Sequence, residues 1–437
     1  MARPLLCLAL LCASMAFTTC AGIRLELIHV DAKENCTVEE RMRRATERTH
    51  RRLASVGGVT APIHWGGQDQ YIAQYLMGDP PQRAEAIIDT GSNLIWTQCS
   101  ACRPRCFSQN LPHYEPSRSR TGRAVGCNDA ACALGSETQC LSNNETCAVG
   151  ISYGAGNIFG VLGTESFTFE SETARLVFGC IVRTELLPGS LNGASGIIGL
   201  GRGKLSLTSQ LGDTRFSYCL TPYSNDDTIE PSHMIVGASA GLINGSASTV
   251  TSVPFVRSPS EYPFSTFYYL PLTGITVGKA KLAVPSAAFD LRQVAPGTWT
   301  GTFIDSGTPW TSLVDVAYQA LRAELARQLG TSVVQPPPGT AGSSFDLCLA
   351  LQDADRLVPL VLHFGGGADL VVPPRNYWAA VDTATACMVV FSSGGPNSTL
   401  PMNETTVIGN HMQQNMHVLY DLAAGVLSFQ PADCSSI

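Results

Sequence analysis

The chain has little of what several large classes of protein require. It contains no run of about 18 apolar residues, the length that a helix needs to cross a membrane. Positive charge is scarce in residues 61–437, which carry 19 Lys and Arg against 29 Asp and Glu. A surface that neutralises the phosphates of nucleic acid is therefore not expected. Histidines spaced for zinc are missing, and Leu205 follows Lys204 where a phosphate loop needs Ser or Thr, so we expect no metal and no cofactor.

Turn-forming residues are abundant by contrast, with 41 Gly and 26 Pro in 437 residues. Between them lie segments rich in Val, Ile, Tyr, Phe and Thr, a pattern typical of strands, for example at Ala86–Thr97 and His417–Gln430. One helix is predicted over Asp315–Leu329, because apolar residues recur there every fourth position and Gly330 follows. We expect an all-β chain, mainly β with a few short helices.

The start of the chain has the layout of a secretory signal, with an apolar run at Leu5–Phe17 and small residues just beyond it. We predict a signal peptide at residues 1–21. Residues 22–60 carry 8 Lys and Arg against 6 Asp and Glu, and their basic stretch Met42–Leu53 favours a propeptide over the alternative, a solvated helix face.

Cysteine usage also indicates an exported protein. Of 16 Cys, three fall in the signal and Cys36 in the basic segment, which leaves twelve and predicts six disulfides without fixing their connectivity. The pair Cys99 and Cys102 permits a zinc or redox interpretation, but an oxidising compartment favours structural disulfides. Glycosylation is predicted at the sequons of Asn144, Asn244, Asn397 and Asn403.

A short motif occurs twice, at Ile88-Asp89-Thr90-Gly91-Ser92 and Ile304-Asp305-Ser306-Gly307-Thr308. Each copy is followed farther along by an apolar-apolar-Gly segment, Ile197-Ile198-Gly199 in the first case and Val407-Ile408-Gly409 in the second. A duplicated architecture is the simplest account of this repeat. We predict an N-terminal lobe at residues 61–240 and a C-terminal lobe at residues 241–437.

The repeat predicts a pair of catalytic carboxylates, Asp89 and Asp305. If the two turns meet, the carboxyl groups lie close together and share one proton, so that one acts as base and the other as acid. Water activated between them would attack a peptide carbonyl directly. The residues predicted to shape the two turns and orient the carboxylates are Thr90, Gly91, Ser92, Ser306, Gly307 and Thr308.

With these motifs, residues 61–437 resemble the pepsin-like aspartic proteases, and among them the plant nepenthesin-like branch. The motifs that carry the resemblance, beyond the two Asp turns, are Ile95-Trp96-Thr97-Gln98-Cys99, Gly196–Gly203, Phe216-Ser217-Tyr218-Cys219-Leu220, Leu272–Gly278 and Ile408–Asp421. The resemblance implies a bilobal fold with the active site in the cleft between the lobes. It also implies a monomeric endopeptidase that acts on extended polypeptides at acidic pH. Such a protein would be secreted to the extracellular space or apoplast, with the vacuole as the alternative.

The resemblance further implies a flap, the hairpin Ile151-Ser152-Tyr153-Gly154-Ala155-Gly156, with Trp96 as the partner of Tyr153. The stretch Cys99–Cys147 matches the branch's Cys-rich insertion. The disulfides implied by the family order are Cys99–Cys102, Cys106–Cys180, Cys127–Cys147, Cys132–Cys140, Cys219–Cys434 and Cys348–Cys387.

Some positions depart from the family pattern. Asn93 stands where Asp is usual, Ala155 and Asn157 replace the usual Asp and Ser of the flap, and Pro309 follows the second motif. Some plant members of this fold are catalytically inactive and act as xylanase inhibitors or storage-type binding proteins. Their Asp motifs are commonly disturbed. Both motifs are intact here, which favours the enzyme over this alternative.

Overall fold

The computed structural model describes residues 22–29, 42, 70–141, 145–222, 232–243, 248–337, 345–395 and 398–436. The predicted signal peptide at residues 1–21 lies outside these ranges, as does most of the predicted propeptide. The sequons at Asn144, Asn244 and Asn397 also lie outside the described residues.

Strands dominate both halves of the chain. In the first half they are β1 (Ile23–His29), β2 (Tyr71–Met77), β3 (Gln82–Asp89), β4 (Ile95–Gln98), β5 (Arg123–Ala124), β6 (Thr138–Cys140), β7 (Cys147–Tyr153), β8 (Gly156–Phe169), β9 (Glu172–Leu186), β10 (Gly196–Gly199), β11 (Arg215–Cys219) and β12 (Ser232–Val236). In the second half they are β13 (Thr251–Pro254), β14 (Tyr268–Tyr269), β15 (Leu272–Val277), β16 (Ala280–Lys281), β17 (Arg292–Ala295), β18 (Thr298–Thr300), β19 (Thr302–Ile304), β20 (Thr311–Leu313), β21 (Val333–Val334), β22 (Cys348–Ala350), β23 (Leu360–Phe364), β24 (Ala368–Val372), β25 (Trp378–Ala380), β26 (Thr385–Met388), β27 (Val390–Ser392), β28 (Thr406–Ile408), β29 (Met416–Asp421) and β30 (Val426–Pro431).

The α-helices among the described residues are α1 (Leu207–Leu211) and α2 (Asp315–Leu329). The 3-10 helices are Pro116–Arg118, Ala130–Ala133, Phe264–Thr266, Ser286–Ala288, Gly330–Ser332, Leu351–Arg356, Pro374–Asn376, Met402–Glu404, Asn410–Gln413 and Cys434–Ser436. The all-β expectation, with a few short helices, is confirmed.

Helix α2 has the predicted bounds. Its apolar face buries Ala317, Leu321 and Leu325, and Gly330 ends it. The two long predicted strands are each divided in the structure, because a turn interrupts them. Ala86–Thr97 is the end of β3 and the start of β4 with residues 90–94 between them, and His417–Gln430 is the hairpin of β29 and β30.

One large sheet joins the two ends of the chain. Its order is β13-β30-β29-β11-β12-β1-β2-β3-β10-β4-β9-β8-β7-β6, and β5 pairs with β8. Strand β1, from the predicted propeptide, lies between β12 and β2 and pairs antiparallel with both. Its side chains alternate between buried and more exposed positions, with Leu25 and Leu27 in the core. Strand β1 is therefore an integral part of this sheet.

The second half forms smaller sheets. A five-stranded sheet has the order β14-β19-β28-β20-β27, and two four-stranded sheets have the orders β16-β15-β23-β24 and β21-β22-β26-β25. Strands β17 and β18 form a hairpin. The arrangement around β19 matters for the site, because it repeats the arrangement around β3.

Four of the six implied disulfides are wrong. The structure joins Cys99 to Cys180 instead of Cys102, and Cys102 to Cys106 in place of the implied Cys106–Cys180 bond. Strand β4 runs parallel to β9 with Thr97 opposite Cys180, which brings Cys99 beside Cys180 at a Cα–Cα distance of 5.5 Å. The separation fits a disulfide.

The other two corrections concern the β6–β7 hairpin. The structure contains Cys127–Cys140 and Cys132–Cys147, not the implied Cys127–Cys147 and Cys132–Cys140. Burial explains the exchange: Cys132, on a 3-10 helix, and Cys147 both lie in one apolar cluster, whereas Cys140 is exposed. The structure also joins Cys219 to Cys434 and Cys348 to Cys387, as the resemblance implies.

Candidate active site

Asp89 and Asp305 occupy equivalent places in the two halves. Asp89 ends β3, which runs parallel to β10, and its carbonyl accepts a hydrogen bond from the amide of Leu200 at 2.8 Å. Asp305 follows β19, which runs parallel to β28, and its amide donates to the carbonyl of Ile408 at 3.0 Å. The apolar-apolar-Gly segments found in the sequence are thus the parallel neighbours of the two Asp strands.

The two turns are joined by reciprocal hydrogen bonds. The amide of Thr90 donates to Oγ of Ser306 at 3.1 Å, and the amide of Ser306 donates to Oγ1 of Thr90 at 2.9 Å. Oγ of Ser306 also donates to the carbonyl of Ile88 at 3.1 Å. Thr90 and Ser306 are fully buried, so these bonds fix the spacing of the turns without competition from water.

Each carboxylate is held by its own turn in the same way. Oδ1 of Asp89 accepts from the amide of Gly91 at 3.0 Å, and Oδ2 accepts from Oγ of Ser92 at 2.5 Å. Oδ1 of Asp305 accepts from the amide of Gly307 at 2.8 Å, and Oδ2 accepts from Oγ1 of Thr308 at 2.6 Å. These six residues play equivalent parts in two copies of one turn.

The carboxylate of Asp305 lies against the turn that carries Asp89. A Cβ atom built on Gly91 would lie 2.8 Å from Oδ2 of Asp305, so no larger residue fits there without displacement. Asp89 is 1 % exposed and Asp305 is 3 % exposed. Both carboxyl groups are thus almost fully buried at the joined turns, and that of Asp305 lies against the turn that carries Asp89.

A cleft of about 330 Å³ opens over the two carboxyl groups. Pockets of this size are typical of ligand sites. On one side its apolar lining comes from Ile151, Leu191 and Ile197, and on the other from Phe303 and Val407. Apolar side chains from both halves of the chain thus line the same cleft as the two carboxyl groups.

The tip of the hairpin formed by β7 and β8 lines this cleft. Tyr153 lies at its tip, opposite Gly156, and its hydroxyl accepts a hydrogen bond from Nε1 of Trp96 at 2.8 Å. Trp96 is fully buried, which fixes the acceptor position of the tyrosine hydroxyl. Burial raises the pKa of Tyr153 well above its ordinary value, and the Asp89 carboxylate adds to the rise. Gly154 and Tyr153 both line the cleft.

A group of hydrogen-bonded polar side chains lies next to the second turn, and the sequence analysis predicts no role for them. The hydroxyl of Tyr218 donates to Oε1 of Gln413 at 2.5 Å and lies 3.0 Å from the hydroxyl of Tyr420. Nε2 of Gln413 in turn contacts the carbonyls of Asp305 at 3.4 Å and Ile408 at 3.0 Å. Burial raises the pKa of Tyr218 and of Tyr420, so both stay protonated donors.

The departures from the family pattern leave this geometry in place. The Thr308–Asp305 bond forms beside Pro309, whose carbonyl accepts from the amide of His411 at 3.0 Å. In the flap, Oγ of Ser152 donates to Oδ1 of Asn157 at 2.7 Å. The contacts of Asn93 could not be predicted from the sequence, because its partners are remote in the chain.

In the part of the chain that the structure describes, no three His, Cys, Asp or Glu side chains are grouped as metal ligands. Nor does any helix of the described residues have the length and apolar character needed to cross a membrane.

Fold and site together define a bilobal pepsin-like protein with a duplicated Asp turn. Two family models match, Xylanase inhibitor N-terminal over residues 71–238 and Xylanase inhibitor C-terminal over residues 267–431. The chain belongs to the pepsin-like family of plant aspartic proteases. The resemblance to its nepenthesin-like branch is confirmed by the relatives that follow.

The chain is 36% identical over 427 residues to aspartic proteinase nepenthesin-1 of Nepenthes gracilis, covering 95% of this chain and 91% of that protein. It is 35% identical over 430 residues to aspartic proteinase nepenthesin-2 of the same plant, with the same coverage. Among solved structures it is similar to the crystal structure of edgp, with a TM-score of 0.68, 18% identity, and coverage of 95% of this chain and 96% of that one. The last comparison supports the fold alone.

Proposed function

We propose that the protein is an aspartic endopeptidase that hydrolyses peptide bonds at acidic pH, with Asp89 and Asp305 as its catalytic residues. The observation that carries the proposal is the reciprocal bonding of Thr90 and Ser306, which holds the Asp305 carboxylate against Gly91. Homologous aspartic proteinases support the same reaction class.

In the proposed mechanism, one proton is shared by the two carboxyl groups, because like charges this close cannot both ionise freely. The ionised member removes a proton from water, and that water attacks the carbonyl carbon of an extended peptide. The protonated member donates a hydrogen bond to the carbonyl oxygen as negative charge develops there. The carboxyl group that took the proton from water then passes a proton to the amide nitrogen, the C–N bond breaks, and the amine and the carboxylic acid leave with one proton still shared by the pair. The proton assignment belongs to the pair, and no covalent intermediate with the enzyme forms.

Thr90, Gly91 and Ser92 in one lobe, with Ser306, Gly307 and Thr308 in the other, orient the carboxylates in this account. Tyr153 and Gly154 close over the substrate and exclude water, while Trp96 fixes the flap tyrosine. Extended polypeptides are the proposed substrates, since the cleft runs between the lobes.

An assay with denatured protein as substrate tests the proposal. The acid-activated protein is incubated at pH 3 to 7 with and without pepstatin, a transition-state analogue for this reaction class. We expect fragments at acidic pH that pepstatin abolishes. Cleavage that pepstatin leaves unchanged, or no cleavage at any pH, would reject it.

A catalytically inactive binding protein is the second candidate, because the matching family models carry the description of xylanase inhibitors. The intact hydrogen bonds from Ser92 and Thr308 to the two carboxylates favour the enzyme. Binding of a xylanase together with absence of proteolysis would favour the second candidate.

We further propose that residues 22–60 are a propeptide. The basic stretch Met42–Leu53, which lies between the predicted signal peptide and the acidic residues 61–437, supports this. Strand β1 of the same segment lies between β12 and β2, so its removal would leave those two strands without their common partner. Arg43, Arg44, Arg51 and Arg52 lie outside the described residues, so their pairing with carboxylates stays a hypothesis. If Asp89→Ala protein is shortened in acid as fast as wild type with no other protease present, self-processing is wrong.

Secretion as a monomer, with the vacuole as the alternative location, completes the proposal. The six disulfides fit an oxidising compartment. Asn403 is the one predicted glycosylation site inside the described residues; it lies half-buried on a 3-10 helix in the second half of the chain, and its occupancy is a proposal as well.

A further inference from the structure

Tyr262 combines a large apolar surface with a place in the cleft. It is 39% exposed, and it lines the cleft together with Pro263 and the flap residue Tyr153. The other large apolar side chains described as exposed, namely Leu141, Val250, Val316, Val371 and Leu400, are not part of the cleft lining. An exposed aromatic ring in a concave site gains most when a ligand covers it, since such rings bury about 150–250 Å².

The chain around this residue, called here the Tyr262 segment (residues 261–267), is held by several hydrogen bonds. The amide of Ser265 donates to the carbonyl of Glu261 at 2.9 Å, and the amide of Arg202 donates to the carbonyl of Thr266 at 3.1 Å. Oγ of Ser258 donates to the carbonyl of Phe267 at 2.9 Å. Tyr262 therefore extends from a well-anchored segment.

Asn93 connects this segment to the catalytic turn. It follows Ser92 directly, and its Nδ2 donates to Oγ1 of Thr266 at 2.9 Å and to Oε1 of Glu137 at 2.9 Å. Its Oδ1 accepts from the amide of Gly203 at 2.8 Å. One carboxamide thus bonds to three segments that are far apart in the sequence.

The surroundings of Asn93 leave no room for adjustment. Asn93 is 6% exposed, Glu137 is 5% exposed and Thr266 is 2% exposed. A Cβ atom on Gly203 would lie 2.5 Å from Cγ of Asn93. The contacts need an amide in particular, because a carboxylate at residue 93 would have no N–H to offer Glu137.

We propose that Asn93 is a positioning residue that holds the Tyr262 segment and Glu137 of the Cys-rich insertion against the catalytic turn. Tyr262 then forms a fixed aromatic wall of the cleft, which selects peptides with a bulky apolar side chain beside the scissile bond. The inference rests on the proposed peptidase function and names two residues, Asn93 and Tyr262, that shape the same site.

The charges around the junction, where Asn93 contacts Glu137 and Thr266, agree with these contacts. The ionisable groups at the junction are Glu137, whose Oε1 accepts from Asn93, and Tyr262. Partial burial and the Glu137 carboxylate both raise the pKa of Tyr262. Asp at position 93 would place a second carboxylate at hydrogen-bond distance from Glu137, which is unfavourable unless the two share a proton.

The role of Tyr262 as a wall of the cleft is tested with two peptides. They differ only in one residue next to the scissile bond, which is Phe in one and Ala in the other. Wild type should prefer the Phe peptide. Tyr262→Ala should lose about tenfold of that preference in kcat/KM, since shape changes in an apolar pocket are worth that much. Tyr262→Phe and the surface control Val371→Ala should keep it. Unchanged preference in Tyr262→Ala would overturn the proposal.

The positioning role of Asn93 is tested by exchanging its amide with the carboxylate of Glu137. Asn93→Asp should lower kcat/KM for the Phe peptide about tenfold at pH 6, where two carboxylates repel, and less at pH 3, where they share a proton. Glu137→Gln in the same protein restores an amide–carboxylate pair with the groups swapped, and should recover the activity. Equal impairment of the single and double variants at both pH values would contradict the role of the amide.

Failure of the peptidase proposal can be told apart from failure of this inference. If wild type cleaves neither these peptides nor denatured protein at any pH from 3 to 7, the proposed function is wrong. Binding of the two peptides is then measured by fluorescence anisotropy. A preference for the Phe peptide that Tyr262→Ala removes would still support the wall, whereas equal binding by both proteins would overturn it.

Discussion

Thr90 and Ser306 each donate a backbone amide to the other's hydroxyl, at 3.1 and 2.9 Å. This pair of bonds joins residues that are 216 positions apart, and both residues are fully buried. These bonds therefore set the spacing of the two turns that carry Asp89 and Asp305. The consequences can be measured at several points in the molecule.

Removal of one hydroxyl should weaken both fold and catalysis. Ser306→Ala leaves the buried amide of Thr90 without its partner, so we expect a loss of about 1–3 kcal/mol in the free energy of unfolding. The catalytic rate should fall as well, because the turns are then free to separate. Urea denaturation and kcat check both effects, with Thr173→Val, an exposed hydroxyl on β9, as the control. No change beyond that control would argue against the reciprocal bonds.

The flap makes a separate prediction. Tyr153→Phe removes the oxygen that accepts from Nε1 of buried Trp96, so the ring loses its anchor. We expect kcat/KM to fall by about tenfold, as for loss of one buried hydrogen bond of about 1.4 kcal/mol. Most of the loss should be in kcat if the flap closes only in the reacting complex. An unchanged kcat/KM would show that the Trp96 contact does not serve catalysis.

Stability below neutral pH should depend on His411. Burial lowers the pKa of His411 to about 4, whereas an unfolded chain titrates near 6.5. Between these values the unfolded state binds the extra proton, so stability falls as pH falls, by at most about 1.4 kcal/mol per pH unit.

This dependence is measured as the melting temperature from pH 7 to pH 4, in an Asp89→Asn background that cannot digest itself. His411→Gln should flatten the curve relative to its parent. A parallel curve in both proteins would mean that other groups cause the acid dependence.

Disulfide connectivity is accessible to peptide mapping under non-reducing conditions. We expect linked peptides for Cys99 with Cys180 and for Cys132 with Cys147, because these pairs meet through β-sheet register and a shared apolar cluster. Recovery of a Cys99–Cys102 link would contradict the structure.

These features differ in how far the sequence could predict them. The periodic apolar pattern fixes α2, and the repeated turn identifies Asp89 and Asp305, because both signals are local in the chain. The strand predicted at Ala86–Thr97 is divided at the turn that the Asp89 motif predicts, so two local signals overlap there and the turn prevails.

The disulfide connectivity and the hydrogen-bond partners of Asn93 could not be predicted from the sequence, because both depend on tertiary contacts between residues far apart in the chain. Closely spaced Cys residues can pair in several ways, and only the hairpin and the burial of Cys132 decide among them. The contacts of Asn93 with Glu137 and Thr266 join residues that no spacing rule relates. The polarity of Asn93 is visible in the sequence, but its partners are not.

The account depends most directly on the two carboxyl groups acting as one unit. Asp89→Asn and Asp305→Asn should each reduce kcat for a denatured protein at acidic pH by about a thousandfold or more, and the double variant should be little worse than either single one. Asp129→Asn, at a surface 3-10 helix, serves as the matched control and should retain full activity. Retention of proteolysis in either catalytic variant would contradict the account.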